Sequence, residues 1–281
     1  MNIKTILVPT DFSDMSTKGL KAAQHLAKLW DAKVTPFHAY GPGQSDKHNE
    51  DGPIDQELVS QLNDEAKKYI DSSLLSAGVI SAEKPLDGIN HAAADYDLVV
   101  MSTHGRTGFS RLLMGSVAEK VIRTCSRPVV VVENDAPLAK MDSFLVTTDF
   151  SDNSLKVLPY VKEFAKKSGA KVELKYIETY EQYQKMSELQ GIQSKKNRRL
   201  QQVVDEHLSD ISDQVEPEVV LSNRSIHEEI TRLSTQKPYS MLMMATLGWT
   251  GLDYLRLGST ASNVVRHVEC PVFTINPKTQ Q

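Results

Sequence analysis

The chain has 281 residues and a formal net charge of −4, from 32 Lys and Arg against 36 Asp and Glu, with 40% hydrophobic and 24% charged residues. This composition is typical of a folded globular protein of one large or two ordinary domains. The near-neutral charge argues against a protein that coats nucleic acid or anionic lipid, and no apolar run approaches the roughly 20 residues of a membrane-spanning helix.

The first half of the chain alternates short apolar runs with segments of helical periodicity. Lys4–Val8 predicts a buried strand because it is apolar and rich in β-branched residues. Apolar residues then recur at helical spacing up to Trp30. The other predicted elements are strands at Lys33–Tyr40, Leu98–Ser102 and Pro128–Val132 and helices at Glu57–Leu75 and Ser116–Thr124. Between residues 77 and 97 the apolar stretches are short, which predicts an abbreviated crossover.

The second half repeats the first. The segment ILVPTDFS at Ile6–Ser13 returns 138 residues later as FLVTTDFS at Phe144–Ser151. The glycine-bearing block that begins at Gly105 returns 143 residues later from Gly248. Because the offset grows by five, the second copy has gained five residues between these blocks. Two tandem copies predict two domains, residues 1–138 and 139–281.

The second copy keeps the order of elements but contains a long polar helical region, Tyr180–Ile211, followed by a strand at Glu218–Ser222 and a helix at Ile226–Leu233. Apolar strands without alternation, separated by helices, indicate a parallel sheet covered on both faces. The predicted fold class is therefore α/β, with two doubly wound domains in tandem. In such a fold a ligand binds at the carboxyl ends of the strands.

Two features of the first copy point to a nucleotide. The loop that begins at Ser102 is followed by Gly115 and Ser116 at a predicted helix start, where unpaired backbone N–H groups and the helix dipole favour an anion. Asp11 follows the opening strand and offers a carboxylate to a ribose or a base. The alternatives are that Gly115 permits close packing and that Asp11 and its repeat Asp149 are helix N-caps.

These residues resemble a known family. The spacing of Ser102, Gly105, Gly115 and Ser116 ahead of a helix, after an opening strand that ends in PTDFS and before the closing strand PVVVV, resembles that of the universal stress protein family. The resemblance covers nearly the whole chain, twice. It implies a mostly parallel five-stranded sheet per domain, in the order 3-2-1-4-5, and ATP binding in a subset of members. It also implies that the closing strands Val129–Val132 and Val272–Ile275 pair, which makes the tandem chain an intramolecular pseudo-dimer that can form a further homodimer.

The resemblance also assigns binding residues. In the first copy the implied nucleotide contacts are Pro9, Thr10, Asp11, Ala39, Met101, Ser102, His104, Gly105, Gly115, Ser116 and Val117. In the second copy they are Thr148, Asp149, Ile177, Gly248, Gly258, Ser259 and Thr260. The first copy departs from the family pattern at Ser102, which replaces a glycine. The second departs further, with Thr147 for proline, Ala245 for glycine and Leu247 for histidine, so we expect the first copy to be the better nucleotide site.

Several other candidates have simpler interpretations. His104 is either a phosphate contact or an exposed loop residue, and Arg106 and Arg111 either flank the phosphates or are solvated. The basic run Lys195–Arg199 is interpreted as a solvated face because acidic residues surround it. The triplet that starts at His227 lacks a second ligand for metal. The remaining candidates, Cys125, Cys270 and the methionines of Met241–Ala245, are interpreted as packing residues.

The combined prediction is a cytoplasmic, ATP-binding regulatory module of a stress response. Cytoplasm is inferred because two isolated cysteines make no disulfide framework. ATP with Mg²⁺ as its counter-ion is the expected ligand, and no structural metal, nucleic acid or membrane partner is expected. No residue is an evident general base, which argues against an enzyme. The alternatives are a nucleotide-free scaffold for unknown protein partners and a slow ATP hydrolase or self-phosphorylating protein.

Overall fold

The protein is described from a computed structural model, which covers residues 2–41, 56–103, 115–133, 135–181, 186–248 and 258–278. In the first half the strands are β1 (Thr5–Pro9), β2 (Lys33–Ala39), β3 (Val79–Ser81), β4 (Leu98–Ser102) and β5 (Val129–Val132). The helices are α1 (Thr17–Trp30), α2 (Gln56–Lys67), α3 (Pro85–Ala93) and α4 (Ser116–Thr124). A 3-10 helix, Ala136–Ala139, leads into the second half.

The second half repeats the order of the strands but differs in its helices. Its strands are β6 (Ser143–Thr147), β7 (Lys171–Thr179), β8 (Val215–Ser222), β9 (Met241–Ala245) and β10 (Val272–Ile275). Its helices are α5 (Asp152–Leu155), α6 (Leu158–Ser168), α7 (Met186–His207), α8 (Ile226–Gln236) and α9 (Ser259–His267). Two helices, α5 and α6, stand where the first half has α1, and a longer helix, α7, stands where the first half has α2. Among the described residues, no helix combines the length and apolar character needed to cross a bilayer.

The described strands form one sheet in the order β3-β2-β1-β4-β5-β10-β9-β6-β7-β8. Within each half the pairing is parallel and follows the predicted order 3-2-1-4-5, so the α/β fold class is confirmed. The closing strands pair antiparallel, with Val131 opposite Val272 and Val130 opposite Phe273. The two predicted five-stranded sheets are therefore the two halves of one ten-stranded sheet, and the halves meet as the resemblance implies.

One face of the sheet carries an apolar core that both halves share. Phe164 on α6 is fully buried, and its ring meets Trp30 of α1 edge-on at 5.2 Å between centroids. The same ring contacts Phe273 at 5.6 Å and Phe144 at 6.2 Å. The central strands read as continuous apolar runs because helices cover both of their faces. The predicted boundary after residue 138 falls in the connecting 3-10 helix and stays a prediction.

The predicted end of α2 was wrong. The helix stops at Lys67 and not at Leu75, because the chain turns and then runs extended beside β2. The turn is held by Asp71, whose backbone N donates to Gln24 Oε1 at 3.0 Å. Ser76 N then donates to Val34 O at 2.8 Å. This tertiary pairing outweighs the helical periodicity. The third strand, β3, has three residues, in line with the predicted abbreviated crossover.

Candidate functional site

Each half carries a cleft at the carboxyl ends of its two central strands, where the strand order reverses and ligands of doubly wound folds bind. The cleft of the first half, called cleft one, has a volume of about 210 Å³. Nine of the predicted residues line it: Pro9, Thr10, Asp11, Ala39, Met101, Ser102, Gly115, Ser116 and Val117. His104, Gly105, Arg106 and Arg111 lie outside the described residues.

The cleft of the second half, called cleft two, has a volume of about 430 Å³. All of its predicted residues line it: Thr148, Asp149, Ile177, Gly248, Gly258, Ser259 and Thr260. Ser102 and Ala245, which stand where the resemblance implies glycine, are the last residues of β4 and β9 and do not have positive φ angles. A Cβ at these positions therefore causes no backbone strain.

The two aspartates hold the loops after the opening strands, and neither is a helix N-cap. Asp11 Oδ1 accepts hydrogen bonds from Ser13 N at 3.1 Å and Ser13 Oγ at 2.6 Å. Asp149 Oδ1 accepts them from Ser151 N at 2.9 Å and Ser151 Oγ at 2.5 Å. The caps are Ser16 for α1 and Ser151 for α5, so the N-cap alternative was wrong.

A threonine–serine contact closes each of these loops and was missed at the level of sequence. Thr10 Oγ1 lies 2.8 Å from Ser16 Oγ, and Thr148 Oγ1 lies 2.9 Å from Ser154 Oγ. Each threonine Oγ1 also accepts a hydrogen bond from the backbone N two residues later. The signal was present, since TDFSDMS returns as TDFSDNS with its final serine retained. The same contacts in both halves indicate that the loops are built alike and preorganised.

The opposite wall of each cleft is the beginning of a helix. Gly115 and Gly258 are the N-cap residues of α4 and α9, and neither cap has a side chain to satisfy the helix N–H groups. Gly115 N donates to Thr103 O at 2.7 Å and Gly258 N to Thr246 O at 3.0 Å. A Cβ at Gly258 would lie 2.9 Å from Thr246 O, so glycine is needed for this close approach. The N–H groups of the first turn can therefore meet an anion.

The inner walls of the two clefts differ in chemistry. Phe37 lines cleft one opposite Pro9 in the β1–β2 register, and Lys175 holds the equivalent register position opposite Thr147 in cleft two. Lys175 is buried, and its ammonium group pairs with Glu173 at 3.0 Å and with Glu218. The ion pairs neutralise the charge of Lys175, which lines cleft two where cleft one has an aromatic ring.

A buried carboxylate supports α8, the helix that flanks cleft two. Glu229 has a side chain 2% exposed and accepts hydrogen bonds from Ser222 Oγ at 2.9 Å and Arg232 Nε at 2.9 Å. Arg224 lies 3.6 Å away. The hydrogen bond from Arg232 is the main cause that lowers the pKa of Glu229, and the Ser222 bond and both arginine charges add to it. Burial opposes this shift.

We expect Glu229→Gln to weaken the pH dependence of stability in acid. Because the folded-state pKa is lowered, Glu229 stabilises the protein above its unfolded pKa, near 4.3, and that stability is lost as the pH falls through the folded-state value. The variant should be less stable by about 1–3 kcal/mol at pH 7 and converge on the parent in acid. Urea unfolding between pH 7 and 3 measures this, with exposed Glu216→Gln as control. A pH-independent difference would contradict it.

The packing interpretations hold for the cysteines and the methionine strand. Cys125 and Cys270 are buried, and burial raises the pKa of both thiols, that of Cys270 to about 12. Met241, Met243 and Met244 lie in β9 within the core. No group of three or more His, Cys, Asp or Glu side chains within the described ranges is arranged to hold a metal ion.

A family model described as the universal stress protein family matches residues 2–133 and again residues 141–276. Among similar proteins, a universal stress protein of Methanocaldococcus jannaschii is 33% identical over 139 residues, which is 46% of this chain and 82% of the relative. Universal stress protein YxiE of Bacillus subtilis is 29% identical over 143 residues, which is 45% of this chain and 97% of the relative.

A solved structure matches the fold of the whole chain. A universal stress protein of Archaeoglobus fulgidus matches with a TM-score of 0.72 at 23% identity and covers 98% of this chain and 97% of that chain. A universal stress protein in complex with cAMP is 18% identical, covers 48% of this chain and 97% of that chain and has a TM-score of 0.39. The first match shows that the tandem arrangement as a whole has a known counterpart.

Proposed function

The chain belongs to the universal stress protein family, and we propose that it is a regulatory module of a stress response that binds ATP in cleft one and, more weakly, in cleft two. The observation that carries the proposal is the shared build of the clefts. In each of them a carboxylate-bearing loop and a helix N-terminus line the same cavity at the end of the two central strands. These two kinds of wall suit the ribose and the phosphates of a nucleotide.

The chemistry of cleft one suits the three parts of an adenine nucleotide. Phe37, Ala39 and Ile89 supply an apolar wall for the base. Asp11 lines the same cleft and would accept hydrogen bonds from the ribose hydroxyls. The first turn of α4 would hold the phosphates, since free N–H groups and the helix dipole favour negative charge. Mg²⁺ would arrive bound to the phosphates, as their counter-ion.

We propose no catalytic step. Among the described residues that line the clefts, Asp11 and Asp149 are the acidic ones, and the Oδ1 atom of each is engaged by its own loop. A slow hydrolase would need one of them as its base. ATP turnover that exceeds a trace rate and falls with Asp11→Ala would overturn this part of the proposal. A cytoplasmic location fits the two buried thiols, which a reducing compartment preserves.

The test is nucleotide binding by the full chain. We expect mass spectrometry of the supernatant of the denatured protein to detect ATP, and we expect Tm to rise with ATP and Mg²⁺. A ligand that binds the native state alone stabilises it by about 2.7 kcal/mol at a concentration 100 times Kd. ADP, AMP, cAMP and GTP, titrated in parallel, rank the nucleotides. No bound nucleotide and no shift with any of them would leave the protein-interaction scaffold as the function.

A further inference from the structure

We propose that Lys196, on the outer helix α7, is a positioning residue for cleft two. It fixes a pair of aromatic rings that in turn hold the loop of Asp149. The inference rests on the proposed function of cleft two, because the loop matters through the ligand that Asp149 contacts. Lys196 does not line the cleft itself, so its effect on a ligand would be transmitted through the rings.

The contacts of Lys196 converge on two rings. Its Nζ donates to the Tyr176 hydroxyl at 2.7 Å and lies 4.5 Å from the centroid of that ring. The same Nζ lies 5.6 Å from the centroid of the Phe150 ring and 3.8 Å from Glu178 Oε2. An ammonium group within about 6 Å of an aromatic face is attracted by the ring quadrupole. Lys196 therefore holds both rings from one atom.

Phe150 connects the Lys196 contacts to the loop that carries Asp149. Its ring stacks on Tyr176 with centroids 4.3 Å apart and planes 13° apart. Its backbone has φ of 66°, which a residue with a Cβ adopts at a cost and keeps only where its surroundings enforce it. Asp149 is its direct neighbour in the chain. The ring stack therefore supports the backbone turn that aims the Asp149 carboxylate.

The first half provides an internal comparison. Phe12 has the same strained backbone, with φ of 62°, but its ring meets His38 at 4.7 Å with planes 53° apart. His38 Nδ1 lies 2.8 Å from Thr10 O, so the histidine ties this loop directly. Among the described residues, no lysine or arginine stands over the Phe12 ring. The lysine-and-ring support is thus a feature of cleft two.

The experiment replaces Lys196 in a chain whose cleft one is closed by Gly115→Val, and the control is Lys195→Met on the exposed side of α7. Lys196→Met keeps the length of the side chain and removes its charge. We expect it to raise the Kd of a fluorescent ATP analogue at cleft two by about 3- to 10-fold. Lys196→Arg should restore most of the affinity, because a guanidinium group also stacks on aromatic rings. Lys195→Met should change nothing.

Two further measurements separate positioning from general stability. Amide hydrogen exchange at Phe150 and Ser151 should be faster in Lys196→Met by a similar factor, with the Tm of the ligand-free protein equal to that of Lys195→Met. Tyr176→Phe, which removes the hydroxyl and keeps the stack, should give a smaller effect. An unchanged Kd in Lys196→Met would overturn this proposal alone. Absence of nucleotide from cleft two in the Gly115→Val chain would overturn the proposed function of that cleft and this proposal together.

Discussion

Phe164→Ala is expected to destabilise the protein by about 3–5 kcal/mol, the usual cost of removing a buried aromatic ring. Phe164 is fully buried and its ring joins Trp30 of the first half to Phe144 and Phe273 of the second. The cavity would therefore open in the core that both halves share. We expect both halves to lose stability together, in one cooperative transition.

Urea unfolding tests this with two probes. Trp30 is one of two tryptophans, so its fluorescence reports on the first half in a Trp249→Phe background, while circular dichroism reports on the whole chain. The two probes should give the same midpoint in the parent and the same lowered midpoint in Phe164→Ala. Phe164→Leu, which keeps most of the volume, should cost less than about 1.5 kcal/mol. An unchanged midpoint of Trp30 fluorescence in Phe164→Ala would show that the halves unfold independently.

Several contacts join the two halves of the chain. The β5–β10 pairing and the ring contacts around Phe164 both cross between the halves, and Arg266 of α9 bonds Glu119 of α4 at 2.8 Å. An isolated half would expose the Trp30 side of this core to water. Differences between the clefts are therefore best measured in the full chain, by closing one cleft at a time.

The architecture could be predicted because the repeat contains most elements twice. A weak strand in one copy, such as Val79–Ser81, is matched by a clear one, Val215–Ser222, in the other. The end of α2 could not be predicted, since it depends on Gln24 and Val34, which are distant in sequence. Helical periodicity alone carries no information about such a tertiary competitor.

The residues of the two candidate clefts could be predicted to the extent that their chemistry lies in motifs. Aspartate after a strand and glycine before a helix are local signals, and every predicted residue within the described ranges lines its cleft. The repeat shows that Lys175 in the second copy stands where the first copy has Phe37. The neutralisation of Lys175 by Glu173 and Glu218, however, depends on the geometry of the sheet. Nor does local spacing bring Lys196 onto the Phe150 ring. Side chains that act through packing need the fold before they can be identified.

Gly258→Val and Gly115→Val are expected to abolish nucleotide binding one cleft at a time. A Cβ at Gly258 would approach the Thr246 carbonyl oxygen to 2.9 Å, and this backbone atom cannot rotate aside. The start of α9 must shift, and its N–H groups would then miss the phosphates. Gly115 N makes the equivalent contact with Thr103 O at 2.7 Å, so we expect Gly115→Val to displace the start of α4 in the same way. Hydrogen bonds to charged groups contribute about 1.5–3 kcal/mol each, so loss of two of them raises Kd by more than about 100-fold, which takes binding at that cleft out of the range of a titration.

Calorimetric titration of the full chain measures the outcome. The parent should bind two nucleotides, each single variant one, and the double variant none, while overpacking costs each single variant about 1–3 kcal/mol of stability. Gly191→Val is the matched control, since a Cβ at Gly191 meets nothing within 4 Å, and it should bind as the parent does. Gly258→Val, which leaves cleft one open, should bind its nucleotide with a lower Kd than Gly115→Val, which leaves cleft two open. The reason is that Phe37 offers the base a ring where cleft two offers the ion-paired Lys175. Tighter binding by the Gly115→Val chain would reverse that ranking and make the larger cleft the main nucleotide site.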